Sequence, residues 1–209
     1  MVVLDLDSTL VHTGARHRAI ACAFPDPAVA DVAERLDPTA FGWDVRHPFR
    51  TLGVPEPMLD QLLAFWSDRF FDGAWLDHDQ PTPGAVGFTQ ALLTAGAQLV
   101  YLTGRPEPTM GEGTRRSLAS MGFPLGVHTA LWMKPSVALG DAVHKRHATR
   151  LLPDLGPVAA TFENEPAHAN GFLSAFPAGA HVLVGDVHDP KAPRAAAALH
   201  RIPDFVQRR

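Results

Sequence analysis

The chain has a single cysteine, Cys22, in 209 residues. One thiol cannot build an internal disulfide framework or a cysteine-based zinc cluster, and it fits a reducing compartment, the cytoplasm. No apolar run approaches the ~18–20 residues of a membrane span. No charged-then-apolar leader precedes the fold. The sequence opens inside what reads as its first strand, so either that strand is short or the chain starts a few residues upstream. Excess positive charge is also missing. A net charge of −4 gives no ground for expecting a nucleic-acid partner. There is no P-loop, no G-x-S-x-G elbow and no HExxH helix among the scattered histidines. No internal repeat appears, and no low-complexity tract beyond the four alanines at 195–198. What remains is 46% hydrophobic residues and a mean hydropathy near zero. That suits a globular chain with one core, or a core plus a small second lobe.

Two carboxylates close the first apolar run. Val2-Val3-Leu4 leads into Asp5-Leu6-Asp7-Ser8-Thr9. A strand alternates faces, so a fully extended D-x-D puts both side chains on one side. If the chain curls after Asp5, one carboxylate and the next backbone carbonyl can share a cation. That arrangement is a hard-metal site, with a carboxylate nucleophile beside a second carboxyl that can move protons. Ser8 and Thr9 supply small polar groups for a tight turn. A lone D-x-D is as readily a plain acidic strand end.

Four further segments read as strands, at 97–102, 126–131, 158–162 and 181–184. Several are continuous apolar runs, as a sheet covered on both faces requires. Helical stretches separate them at 85–95, 114–121, 141–152 and 166–176. Thr82-Pro83 suits a helix start, and Gly96 suits a stop. Gly111-Glu112-Gly113 reads as a loop and helix cap, and Pro153 as the end of the third helix. The alternation predicts an α/β fold, a doubly wound parallel, Rossmann-like sheet. Such sheets place their chemistry at the carboxyl ends of strands.

Residues 14–80 break the alternation. Helical segments fall near 27–36 and 56–71, among the aromatics Phe41, Trp43, Phe49, Phe65, Trp66, Phe70, Phe71 and Trp75. This predicts a core of 1–13 and 81–209 with a mostly helical insertion, 14–80, over the end of the first strand. The aromatics are read as the insertion's own core rather than a ligand cage.

Other strand ends carry candidate site residues. Thr103, with Gly104 allowing close backbone approach, suits a phosphate oxygen, and Arg105 can orient it or pair structurally. Glu163 and Asn164 can complete a Mg²⁺ shell with Asp5, the Asp7 carbonyl and waters. Glu165 reads instead as a first-turn acid favouring the dipole of the next helix. Asp186, one strand later, competes with Glu163 for the metal. Carboxylates facing a phosphate need a second cation. Lys145 is preferred, because helical side chains lean toward the N-terminus and it can reach back over the strand ends. Lys134 is its competitor. Arg46, His47 and Arg50 are candidate contacts to phosphate or leaving group.

Assembled, these residues resemble the haloacid dehalogenase-like hydrolase superfamily. The likeness covers most of the chain outside 14–80. The specific part is the DxDx[T/V] motif, standing here as Asp5-Leu6-Asp7-Ser8-Thr9. Thr103 looks like the second motif, Lys145 or Lys134 like the third, and Glu163-Asn164 like the acidic fourth, where a double aspartate is commoner. The insertion matches the family's helical cap. The resemblance implies a Mg²⁺-dependent phosphatase acting on a small phosphorylated metabolite. Asp5 would form an aspartyl-phosphate. Asp7 would protonate the leaving group and then deprotonate water. Lys145 and the metal would offset charge, and Thr103 would position the transferring group. Asp7 favours phosphate chemistry over dehalogenation. A phosphotransferase such as a mutase, or a module that binds metal or phosphate without turnover, remains the alternative.

Overall fold

The computed structural model describes residues 1–207. Among these residues, eight strands and eight α-helices follow one another. β1 (Val2–Leu4) and β2 (Val11–His12) precede the helices α1 (Gly14–Cys22), α2 (Pro27–Arg35), α3 (His47–Thr51) and α4 (Glu56–Phe70). A 3-10 turn (Gly73–His78) leads into β3 (Gln80–Pro81) and α5 (Ala85–Thr94). Then come β4 (Leu99–Pro106), α6 (Glu107–Met121), β5 (Thr129–Lys134), α7 (Asp141–Leu155), β6 (Ala160–Glu163), α8 (Pro166–Ala175), β7 (Ala180–Val184) and β8 (His200–Ile202).

Six strands make one parallel sheet in the order β5-β4-β1-β6-β7-β8. Its two faces follow from residue parity. Val2, Leu4, Leu99 and Tyr101 face one apolar cluster with Leu118 of α6 and, from α5, Ala85 and Leu92. Val3, Val100 and Leu102 face the other, with Ala148 and Leu152 of α7 and Phe172 of α8. Both faces are therefore dry, which explains why β1 and β4 read as unbroken apolar runs. The doubly wound α/β expectation holds.

Several boundaries differ from the sequence reading. Helix α6 starts at Glu107, so Gly111 and Gly113 lie inside it rather than in a loop. A side chain at Gly113 would strike the backbone of Gly73. The glycine is there for close packing of the 3-10 turn on α6, and no propensity argument sees that. Strand β5 starts at Thr129 because Gly126 (φ 118°) and His128 (φ 64°) turn the chain first. Helix α7 runs through Pro153 to Leu155. Helix α1 went unseen because it buries Arg16 and His17 and has no apolar stripe. Strand β8 is only three residues long, and two are polar.

The helical segment has an apolar cluster of its own, including Ala21, Val29, Phe41, Phe49, Leu59 and Leu62. It joins the sheet through the antiparallel pair β2 and β3, where Val11 faces Pro81 and His12 faces Gln80.

Candidate active site

Strand β1 stops at Leu4 because the chain curls. Asp5 N–H still donates to Phe162 O at 3.0 Å. Beyond it, Val11 N–H and Thr9 N–H both return to Leu6 O, and Ser8 adopts the left-handed region at φ 60°. The loop separates the two carboxylates. Asp5 points to one cation and Asp7 to two others.

Asp5 is buried. Its Oδ1 accepts from Lys145 Nζ at 2.7 Å and its Oδ2 from Thr9 Oγ1 at 2.9 Å. Lys145, on the second turn of α7, also donates to Glu163 Oε2 at 2.6 Å. One buried ammonium thus serves two buried carboxylates. Burial and then Glu163 raise Asp5 to about 7, with Lys145 opposing them. Glu163 settles at about 2: burial raises it, and Lys145 and His168 more than offset that. Burial alone would lower Lys145, yet Asp5 and Glu163 hold it above its usual range.

Asp7 sits in a separate network. Arg105 grips it with Nε at 2.9 Å and Nη2 at 2.7 Å, and Arg16 Nη2 adds a third bond at 2.6 Å. Asp79 closes the square, 2.7 Å from Arg105 and 3.0 Å from Arg16. Burial would raise Asp7, but Arg105 and Arg16 keep it well below the usual carboxylate range. Two of these groups, Asp7 and Arg105, flank the sheet edge. Arg16 opens the insertion and Asp79 closes it.

The other expected residues divide. Thr103 is fully buried, and its Oγ1 accepts from Arg105 N at 3.2 Å. Gly104 packs so closely on the Asp141 carboxylate that any side chain there would displace it. Asn164 Nδ2 donates to Val187 O at 2.6 Å, and its Oδ1 lies 3.4 Å from Thr9 Oγ1. Lys134 pairs with Asp141 at 2.7 Å and does not border the cavity described below. Asp186 is exposed on the turn after β7. Glu165 accepts from Asp189 N at 2.9 Å. Arg46 pairs with Asp44 and Arg50 with Glu56, away from the site.

A cavity of about 620 Å³ opens beside Asp5, Asp7 and Lys145. The insertion closes it with His17, Trp43, Trp66, Phe70 and Phe71. The aromatics therefore split, which corrects the reading of them all as core. Phe41 and Phe49 are buried in the insertion, whereas Trp43 is 51% and Phe71 38% exposed. Sequence reasoning missed Arg16, His17 and Asp79 as site residues. Arg16 and His17 lie on the unseen helix, and nothing local marks Asp79.

A divalent ion fits this donor set in part. Two carboxylates share one lysine, leaving negative charge uncompensated. Asp5 Oδ2 and Asn164 Oδ1 flank the same Thr9 hydroxyl. Mg²⁺ accepts one or two protein oxygens and keeps waters. Glu163, turned to Lys145, is the outlier among the expected ligands. No group of three or more His, Cys, Asp or Glu side chains able to hold a metal occurs among the described residues.

No protein-family model matches the sequence, and no curated protein matches it. Solved structures do match. Protein Tyrosine Kinase A of Mycobacterium tuberculosis superposes with a TM-score of 0.58 at 17% identity, over 96% of this chain and 91% of that one. A HAD-superfamily hydrolase from Ehrlichia chaffeensis gives 0.55 at 9%, over 98% and 91%. A HAD family hydrolase from Deinococcus radiodurans R1, with bound phosphate and sodium, gives 0.53 at 18%, over 94% and 83%. The chain has the fold of the haloacid dehalogenase-like hydrolases.

Proposed function

We propose that the chain is a phosphohydrolase that cleaves small phosphomonoesters through Asp5. The observation that carries this reading is the Asp5 carboxylate at the carboxyl end of the central strand. It is fixed between Lys145 at 2.7 Å and Thr9 at 2.9 Å, and it opens on the cavity. A carboxylate can attack phosphorus in line only where cations offset the repulsion between two anions. Lys145 supplies one such charge. Asp5, the Asp7 carbonyl and Asn164 would hold Mg²⁺, which would add Lewis-acid stabilisation of the transferring group. Bound phosphate in the Deinococcus structure agrees with this reading.

Attack by the Asp5 carboxylate forms an acyl phosphate and releases the alcohol. Water then attacks phosphorus and frees Asp5 and inorganic phosphate. Asp7 is the proton carrier nearest in sequence. In the second step it takes a proton from the attacking water, and in the next turnover it gives that proton to the departing ester oxygen. Because Arg105 and Arg16 favour the ionised form, it holds the proton only after giving up one arginine. Thr103 acts through the backbone of Arg105. Phosphoryl transfer to a second sugar hydroxyl is the runner-up, with the same first step.

Phosphate release from a panel of phosphomonoesters, with Mg²⁺ and with excess chelator, tests the reading. Release should require metal and should vanish in Asp5→Asn. Activity retained in that variant sinks the mechanism.

A further inference from the structure

We propose, resting on the phosphohydrolase reading, that the substrate's alcohol part is a flat aromatic group carrying a hydrogen-bond acceptor. The group would stack against Trp43 and Phe71 and be read by His17 Nε2. Three observations meet in one cavity.

The first is size. About 620 Å³ lies well within the range for ligands of many heavy atoms, and a two- or three-carbon phosphoester would leave most of it to water. The second is the rings. Trp43 is half exposed at the cavity and makes no ring contact among the described residues. Phe71 makes only T-shaped contacts with Phe70 and Trp66, at 89° and 67°, has the Lys134 ammonium 5.9 Å from its ring centroid, and is 38% exposed at the cavity. Aromatic residues elsewhere in the insertion stack or pack with one another. These two present area to the cavity, where a planar ligand adds a partner.

The third is a polar atom. His17 is 5% exposed, and Trp66 Nε1 donates to its Nδ1 at 3.0 Å. An indole nitrogen only donates, so Nδ1 is the unprotonated nitrogen and the neutral ring carries its proton on Nε2. That N–H has no partner among the described residues, and His17 borders the cavity. Nε2 is open to solvent at the cavity, and a ligand acceptor can take the place of the water that reaches it.

The test uses adenosine 5′-monophosphate and phenyl phosphate as aromatic esters and glycerol 3-phosphate as an aliphatic one. Calorimetry on Asp5→Asn measures affinity without turnover, and kcat/KM on the wild type measures selection. Adenosine 5′-monophosphate should bind about tenfold more tightly than glycerol 3-phosphate. Adding Trp43→Ala should remove most of that preference. His17→Phe should weaken adenosine 5′-monophosphate about threefold or more and phenyl phosphate by less, because only the former offers ring acceptors. Phenyl phosphate preferred over the nucleotide assigns the ring to a simple aryl ester. Equal affinities for aromatic and aliphatic esters, or a preference untouched by Trp43→Ala, overturn the proposal. The half-exposed Trp43 keeps the test valid if His17→Phe misfolds. Aromatic preference in binding without hydrolysis by the wild type sinks the phosphohydrolase reading alone. Unselective hydrolysis sinks the aromatic substrate alone.

Discussion

At the scale of single residues, this site is a problem of buried charge. Lys145 is bracketed by Asp5 and Glu163, all three nearly inaccessible. Removing one partner from such a set strands the others, at a cost of about 3–5 kcal/mol. Lys145→Ala should therefore lose both activity and urea stability. Lys134→Ala should change either by far less, because Asp141, the partner of Lys134, is half in water. The opposite ranking would transfer the role to Lys134. His17 supplies a pH dependence. Burial, then Arg16, lowers it from 6.5 to about 3, against a weaker pull from Asp7. The unfolded chain thus binds a proton below pH 6.5 that the folded chain refuses until about pH 3. Stability from this group is complete above pH 6.5 and falls as pH drops through that window. Urea midpoints between pH 7 and 5 should fall less steeply in His17→Phe than in the wild type; parallel curves would refute the assignment.

At the scale of elements, two glycines make a matched pair. Gly113 in α6 has no room for a methyl group, since the Gly73 carbonyl lies against it. Gly87 in α5 has open space around it. Gly113→Ala should lower the melting temperature by forcing the 3-10 turn away from α6. Gly87→Ala should raise stability by about 0.5–1 kcal/mol, because a helical glycine costs backbone entropy. Equal effects would mean that α6 and the turn are not locked together. The elements also show where the sequence was legible. Strands β1 and β4 were plain, since fully buried parallel strands must be continuously apolar. Asp5, Lys145, Glu163 and Asn164 could be picked out because they stand at strand ends or lean toward them, and the fold brings these four together. Helix α1 was opaque because its inward face carries polar side chains: Arg16 is paired with Asp7 and Asp79, and His17 accepts from Trp66, contacts made outside the helix. Periodicity reads burial of apolar groups and is blind to burial of paired ones.

At the scale of the whole molecule, the square of Asp7, Arg105, Arg16 and Asp79 ties sheet to insertion. It lies between two apolar clusters that share no buried member. Arg16→Met should break this tie and leave Arg105 alone with two carboxylates. Trp43, Trp66 and Trp75 lie in the insertion, so fluorescence follows it more than the sheet. In the wild type, fluorescence and circular dichroism should report one coincident urea transition. In Arg16→Met the fluorescence change should come first. Coincidence in both would mean that the apolar contacts alone couple the two parts.

The position of β1 has a consequence for biosynthesis. The first strand made is the central one, and its neighbours are β4 and β6, whose residues 99–101 and 160–162 pair with residues 2–4. A nascent chain therefore carries β1 with one edge open until residues 99–101 have been made and the other open until residues 160–162 have been made. The insertion's apolar cluster draws on residues 21–66 and is complete far sooner. Helices come together while the chain is still being made, and the sheet waits for its own carboxyl-terminal half. During that wait Val2-Val3-Leu4 is the segment with most to gain from a chaperone's hold.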